Sequence, residues 1–412
     1  MSQTIAVLST LDTKSEETLY LRGQIESRSK KVIVLDLGTK GDPGAIAEIT
    51  RQEIFSLGAN GEAAQADDRV KLGKIMTNGA IRKLKELYAQ GKINGIIGIG
   101  GATNSLMETN VMRTLPFGFP KLMVSAVAGA HGLSSKYFGT SDITIMHSVI
   151  DFTGMNDLMR NVLDRAAGAI TGMVENIGNN QTQGRSSNMI AMTIFGICEN
   201  SATFIRNCLE ENGYQVIGFS ASGMADKAME ELITNQDLFR AVIDLAPGGV
   251  GEELFGGTRS AGPHRLEAAG QKGIPQIIAP CAVNLMSPAR SKYKPDYYER
   301  KKYEVDALRT FLRLNREELL TVAQTMAQKL NMAKGPVKFL IPLQGWASVD
   351  VEGADIWDPE SNRAFADELK KRVKKDIEVI EVDANIDEPA FAQAVVDAFN
   401  LTMESYKSEG DK

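Results

Sequence analysis

The chain has 412 residues, too many for one ordinary hydrophobic core, so two domains are expected. Hydrophobic residues make up 43% and charged residues 24%, a globular balance, and a net charge of −6 with no dense basic block argues against nucleic-acid binding. Three cysteines and three histidines, scattered and without paired spacing, argue against a disulfide framework or a metal centre. The lack of a signal peptide or a long apolar run points to a cytoplasmic protein without a membrane partner.

The first strand, Ile5-Ala6-Val7-Leu8, leads into a helix expected over 13–26, with Thr13 and Glu16 spaced as a capping box. Thr10, Asp12, Thr13 and Lys14 stand at the amino end of that helix, where free amides and the dipole favour an anion; a capped turn would explain Asp12 and Thr13 equally well. The second strand ends at Asp36, where dinucleotide folds place a ribose-binding carboxylate. Residues 40–92 form an insertion with helices expected over 46–57 and 75–88 around a small polar segment at 60–66, together a candidate lid.

The third strand, Gly95-Ile96-Ile97-Gly98-Ile99, runs into Gly100, Gly101, Ala102, Thr103, Asn104 and Ser105 ahead of a helix expected over 106–114. Glycines admit a phosphate close to the backbone, and Thr103, Asn104 and Ser105 add donors; a tight strand-to-helix turn would also use glycines. The stretch is neither a GxGxxG fingerprint nor a Walker A loop. After a fourth strand, Gly139, Thr140, Ser141 and Asp142 read as a third polar loop, in which Asp142 can orient a hydroxyl, hold Mg2+ through water, or cap a turn. A helix over 156–175 and a polar linker at 179–187 close a first domain, 1–180.

A second domain, 188–412, repeats the pattern: strands at 190–193, 216–219, 241–245 and 275–279 answer the first four, even to the proline before the fourth. The fold class is therefore α/β, two tandem Rossmann-like parallel-sheet domains with the ligand cleft expected between them. The loop at 247–265 is rich in glycine and charge. Arg259 and Arg265 there can grip a carboxylate or phosphate, His264 can act as general acid or base, and Glu253 is a second proton carrier; a surface histidine at a helix start is the plainer reading of His264. Glu199 and Asn200 are candidate substrate contacts, with Asn200 as an N-cap the alternative, and Cys281 reads as buried packing. The tail adds helices over 316–330, 362–371 and 389–405 and strands over 337–342 and 377–382; where the last helix docks is left open.

Taken in order, Leu8 to Glu17, Gly98 to Gly101, Gly139 to Ile143, Thr193 to Gly196 and Gly256 to Ala269 resemble the Tm-one-like ATP-binding family, which includes the N-terminal region of the tomato mosaic virus resistance protein and uncharacterised bacterial proteins. The resemblance implies two Rossmann-like subdomains, homodimers, and ATP or another adenine nucleotide at Thr10, Asp12, Thr13, Lys14, Gly100, Gly101, Thr103, Thr140, Ser141 and Asp142. Ala102 and Asn104 belong to the same glycine-rich loop. It also implies a TIM-barrel partner resembling phosphoenolpyruvate-handling enzymes, hence small-molecule carbon metabolism. Two departures stand out: a His-Val-His-Asn type segment expected after Thr310 and a threonine-rich run expected around Asp244 to Pro247 are both missing. The expected function is an ATP-binding enzyme acting on a carboxylate or acyl substrate. The alternatives are a non-catalytic ATP-binding dimeric module for regulation or protein interaction and, more weakly, a nicotinamide oxidoreductase.

Overall fold

The computed structural model describes residues 3–40, 47–61, 68–176, 188–306 and 309–410. The chain divides into two units, 1–181 and 182–412. The linker expected at 179–187 and most of the polar segment at 60–66 lie outside the described residues.

The first unit alternates strands and helices: β1 (Thr4–Ser9), α1 (Leu11–Glu26), β2 (Lys31–Asp36), α2 (Arg51–Ala59), α3 (Arg69–Ala89), β3 (Gly95–Gly100), α4 (Ala102–Met112), β4 (Lys121–Ser125), α5 (Ser134–Phe138), β5 (Thr144–His147) and α6 (Asp157–Asn176). The five strands are parallel in the order β2-β1-β3-β4-β5. The apolar runs are buried on both faces because helices cover both. Leu21 and Ile25 of α1 and Val162 and Ile170 of α6 pack with Val7 and Ile97 on one side. Ile54, Met76 and Ala80 of α2 and α3, with Val111 of α4, pack with Leu8 and Ile96 on the other.

Two local expectations are corrected. Helix α1 begins at Leu11 with Thr10 as its N-cap, so Thr13 lies inside the helix and cannot form the expected capping box. Thr10 makes no side-chain cap bond, and Lys14 departs from helical geometry (φ −138°, ψ 31°), bending the first turn. The insertion is not a free lid. Helices α2 and α3 form the crossover between parallel strands β2 and β3, and their apolar faces lie in the core. Gly58 and Gly79 let them touch: a Cβ at Gly79 would stand 1.8 Å from the Ile54 carbonyl oxygen, and one at Gly58 would stand 1.9 Å from that of Ile75.

The second unit contains β6 (Met189–Ile194), α7 (Glu199–Glu211), β7 (Gln215–Ser220), α8 (Met224–Asn235), β8 (Ala241–Asp244), α9 (Gly249–Phe255), α10 (Ala268–Lys272), β9 (Gln276–Ile278), β10 (Leu285–Met286), β11 (Lys302–Glu304), β12 (Thr310–Arg313), α11 (Arg316–Asn331), β13 (Val337–Pro342), α12 (Pro359–Arg372), β14 (Glu378–Val382) and α13 (Pro389–Gly410). Six parallel strands run β14-β13-β9-β8-β6-β7, the first unit's order extended by one strand. Between β9 and α11, β10, β12 and β11 form a small antiparallel sheet whose strands are too short to show a period in the sequence. Helix α13 packs within its own unit, where Phe391, Val395 and Phe399 meet Ile205 and Leu209 of α7.

Candidate functional site

In each parallel sheet the strand order reverses beside the first strand, which opens a crevice outside the carboxyl ends. In the first unit that crevice lies between β1 and β3, and the loops leaving both strands meet there. Asn104 Nδ2 donates to Thr10 Oγ1 at 2.7 Å, and Thr10 Oγ1 is 3.1 Å from Thr13 Oγ1. Lys14 Nζ lies 3.5 Å from Thr13 Oγ1 and 5.9 Å from the centre of the Phe152 ring. Gly101 is the N-cap of α4 and makes no side-chain cap bond, so the first-turn amides of Ala102 and Thr103 stand at a helix start without a covering side chain. Thr10, Thr13, Lys14, Gly100, Gly101, Ala102, Thr103 and Asn104 thus come together.

Asp12, in the first turn of α1, acts structurally. Its Oδ2 accepts from the amides of Thr39 at 3.0 Å and Lys40 at 3.1 Å, tying down the segment after β2. Asp36 is fully buried and accepts from Arg51 Nε at 2.6 Å and from the amides of Leu11 and Gly38, so this carboxylate is engaged by protein instead of facing a ribose.

Thr140, Ser141 and Asp142 do not join this group. They precede β5, and Thr144 pairs with Leu122 near the start of β4, so they sit at the amino end of the sheet. Asp142 accepts from Lys121 Nζ at 2.5 Å and from the Gly118 amide at 2.7 Å. Burial, the larger influence, holds the Lys121 pKa below the usual lysine range, and Asp142 works against that shift. Asp142 is thus the counterion of a buried lysine and does not fit an Mg2+ role beside the β1 and β3 loops. Among the described residues no group of three His, Cys, Asp or Glu is placed to hold a metal ion.

One buried acid behind the loops was not singled out from sequence. Glu108 of α4 is fully buried, with its carboxyl over Gly98, where Met112 and Met123 also close in. Burial pushes its pKa well above the carboxylate range, and the charge of Lys14 and the Ile99 backbone oppose that shift. A glutamate on a helix otherwise reads as solvated; the clue was Gly98, where a Cβ would come within 2.3 Å of Glu108 Oε2.

In the second unit the charged loop after β8 turns inward. Arg265 is 1% exposed, and its Nη1 and Nη2 reach Asp244 at 2.5 and 2.7 Å. Nη1 also meets Glu230 at 3.0 Å, and Nε meets Asp226 at 3.4 Å. Burial opposes the guanidinium charge, but the three carboxylates outweigh it and leave the pKa raised. Glu230 further accepts from the amides of Leu266 and Ala268, holding Leu266 at a φ of +73°. Arg265 is therefore the centre of a buried ionic cluster, with no free fork for a substrate.

His264 is exposed, with Nδ1 3.0 Å from Glu267, and Glu253 is exposed and accepts from Ser260. Asn200 neither caps α7 nor stands free: Asp387 accepts from its amide at 2.9 Å and its side chain at 2.8 Å. Cys281 is buried beside Cys198, and burial, reinforced by that neighbour, raises its thiol pKa. Arg259 reaches one cavity of the second unit, and His264 lines a separate one with Glu230 and Glu267. The Arg259 guanidinium packs against the adjoining Phe195 and Phe311 rings, 4.7 and 4.6 Å from their centres; Nη2 bonds Glu252 at 2.6 Å and Nε bonds Ser287 at 3.2 Å.

Fold and site together define a protein of two doubly wound α/β units, each with polar loops gathered at the carboxyl ends of its strands. The chain belongs to the uncharacterised protein family UPF0261: the family's N-terminal domain matches residues 3–179 and its C-terminal domain residues 187–403. A UPF0261 protein of Clostridium tetani is 33% identical over 98% of this chain and 100% of its own length. The ToMV resistance protein Tm-1(GCR237) of Solanum lycopersicum is 27% identical over 97% of this chain, which spans 55% of that longer protein. Among solved structures, UDP-N-acetylglucosamine 2-epimerase from Rickettsia bellii is similar over 98% of this chain and 97% of its own, at 10% identity and a TM-score of 0.23, a level that carries no argument. Among the described residues no helix is long and apolar enough to cross a membrane.

Proposed function

We propose that this protein binds ATP or another adenine nucleotide on its first unit, as a homodimer, and is an enzyme acting on a small carboxylate or acyl substrate held by its second unit. The observation that carries the reading is the 2.7 Å bond from Asn104 to Thr10, which joins the two loops at the point where the strand order reverses. The glycines at 100 and 101 and the uncapped start of α4 suit the phosphates, and Lys14 is the cation beside them. Any Mg2+ would arrive with the phosphates, since Asp142 is committed to Lys121.

A second reading is a non-catalytic ATP-binding dimeric module for regulation or protein interaction. It is favoured by the scattering of the candidate catalytic groups: Arg265 is enclosed by carboxylates, while His264 and Glu253 are exposed and paired elsewhere. The relation to a protein named for resistance to a virus fits this reading as well.

Thermal shift with ATP, ADP, AMP and NAD, followed by a phosphate-release assay, tests both. Stabilisation by ATP that is lost in Asn104→Ala and Lys14→Ala supports the nucleotide site. Mg2+-dependent turnover supports the enzyme, and stabilisation without turnover supports the module. No nucleotide effect on the folded wild type, at any Mg2+ concentration, would reject the proposal.

A further inference from the structure

The second unit contains a cavity of about 280 Å³ at the carboxyl ends of β6 and β7, lined by Arg259, Arg290 and Arg309 with Ser220, Ser222 and Tyr293. It falls just below the roughly 300–1,000 Å³ range of small-molecule pockets, so a small ligand is what it can hold. Its walls come from three sources remote in sequence: Phe195 follows β6, Ser220 ends β7, and Phe311 belongs to the small antiparallel sheet. Among the described residues no carboxylate lines the cavity. Glu252 neutralises Arg259 from behind and Asp306 pairs with Arg309, while Arg290 forms no ion pair among the described residues, so the cavity carries an excess positive charge.

Arg259 is built as a binding group. It is 9% exposed, and its guanidinium packs against the rings of both Phe195 and Phe311, which also touch each other. Ser287 and Glu252 occupy Nε and Nη2, leaving the Nη1 edge as the side the cavity can use. Glu252 is fully buried and accepts from Ser287 Oγ at 2.9 and 3.0 Å, which locks the supporting carboxylate in place. A fork fixed in this way loses little freedom when an oxyanion arrives. Aromatic walls and serine hydroxyls suit a ligand with a short body behind a charged head.

We propose that this cavity is a binding site for a small organic oxyanion, a carboxylate or phosphate ester, held by Arg259 and Arg290 between aromatic walls. The proposal deepens the reading of the second unit as the substrate side, and it does not depend on nucleotide binding by the first.

Calorimetric titration of the full chain with succinate, inorganic phosphate and 2-phosphoglycolate, with glycerol as a neutral control, tests it. At least one anion is expected to bind, and the control is not. Succinate alone would identify a carboxylate site and phosphate alone a phosphate site; 2-phosphoglycolate carries both groups. Arg290→Ala, an exposed residue whose loss leaves the fold intact, is expected to weaken binding about tenfold or more, and Arg259→Lys, which keeps the charge but not the fork, is expected to weaken it as well. Binding by none of the three anions, or unchanged affinity in both variants, would overturn the proposal. Asn104→Ala is expected to leave anion binding unchanged, and Arg290→Ala to leave any ATP-induced shift unchanged, so the two sites fail or stand separately.

Discussion

Replacing Arg265 by alanine separates a structural role from a ligand-binding one. The guanidinium is 1% exposed and touches Asp244, Glu230 and Asp226, all buried. Without it three acids share a water-poor site with no cation. Removing one partner of a buried pair costs about 3–5 kcal/mol, because the remaining charge is left uncompensated. For a unit of this size that corresponds to a fall in melting temperature of roughly 6–20 °C. The loss also depends on pH. Burial already holds the Asp226 and Glu230 pKa values above the carboxylate range, with Arg265 opposing the rise. A group whose folded pKa is raised contributes stability that is present below its unfolded pKa and lost as pH rises through the folded value. Removing the arginine raises both further, so the deficit should be larger at about pH 7.5 than at about pH 5. Urea denaturation of Arg265→Ala and the wild type at both pH values reads this directly. A deficit below about 1 kcal/mol, the same at both pH values, would refute the reasoning, and lost ligand binding with unchanged stability would return Arg265 to a substrate-gripping role.

Asp142→Asn removes the charge that faces buried Lys121 and should lower stability by about 1–3 kcal/mol while leaving nucleotide affinity unchanged; titration calorimetry beside chemical denaturation checks both. In the wild type, Glu108 contributes stability at low pH that is lost as pH rises through its raised folded pKa. Glu108→Gln should therefore hold its stability better than the wild type from neutral to alkaline pH, and parallel pH profiles would show that the buried carboxyl is not what titrates.

Much of the placement of the first-unit loops was legible because it is local. A strand that runs into Gly100-Gly101 and then a helix can only place that turn at the strand's carboxyl end, and Thr10 to Lys14 stand at the equivalent position after β1. Thr140, Ser141 and Asp142 look alike in composition, but they lead into a strand instead of leaving one, which sends them to the other end of a parallel sheet. Composition does not distinguish those two cases. The residues that shape the second-unit cavity were harder still: Arg290 and Arg309 flank strands of two to four residues, too short to carry a period.

By itself the sequence determined two parallel-sheet units with a matched succession of strands and helices, since apolar runs, glycine turns and helical periods act within a few residues of themselves; the order of strands across each sheet came from the fold. Only the tertiary structure decided which charges work outward and which inward. Arg259 and Arg265 stand six positions apart on one glycine-rich loop, yet one edges a cavity and the other is enclosed by three acids. The difference lies in what distant elements bring to each: Phe195 and Phe311 hold Arg259 beside the cavity, while α8 and the end of β8 surround Arg265 with carboxylates that only a buried cation can offset.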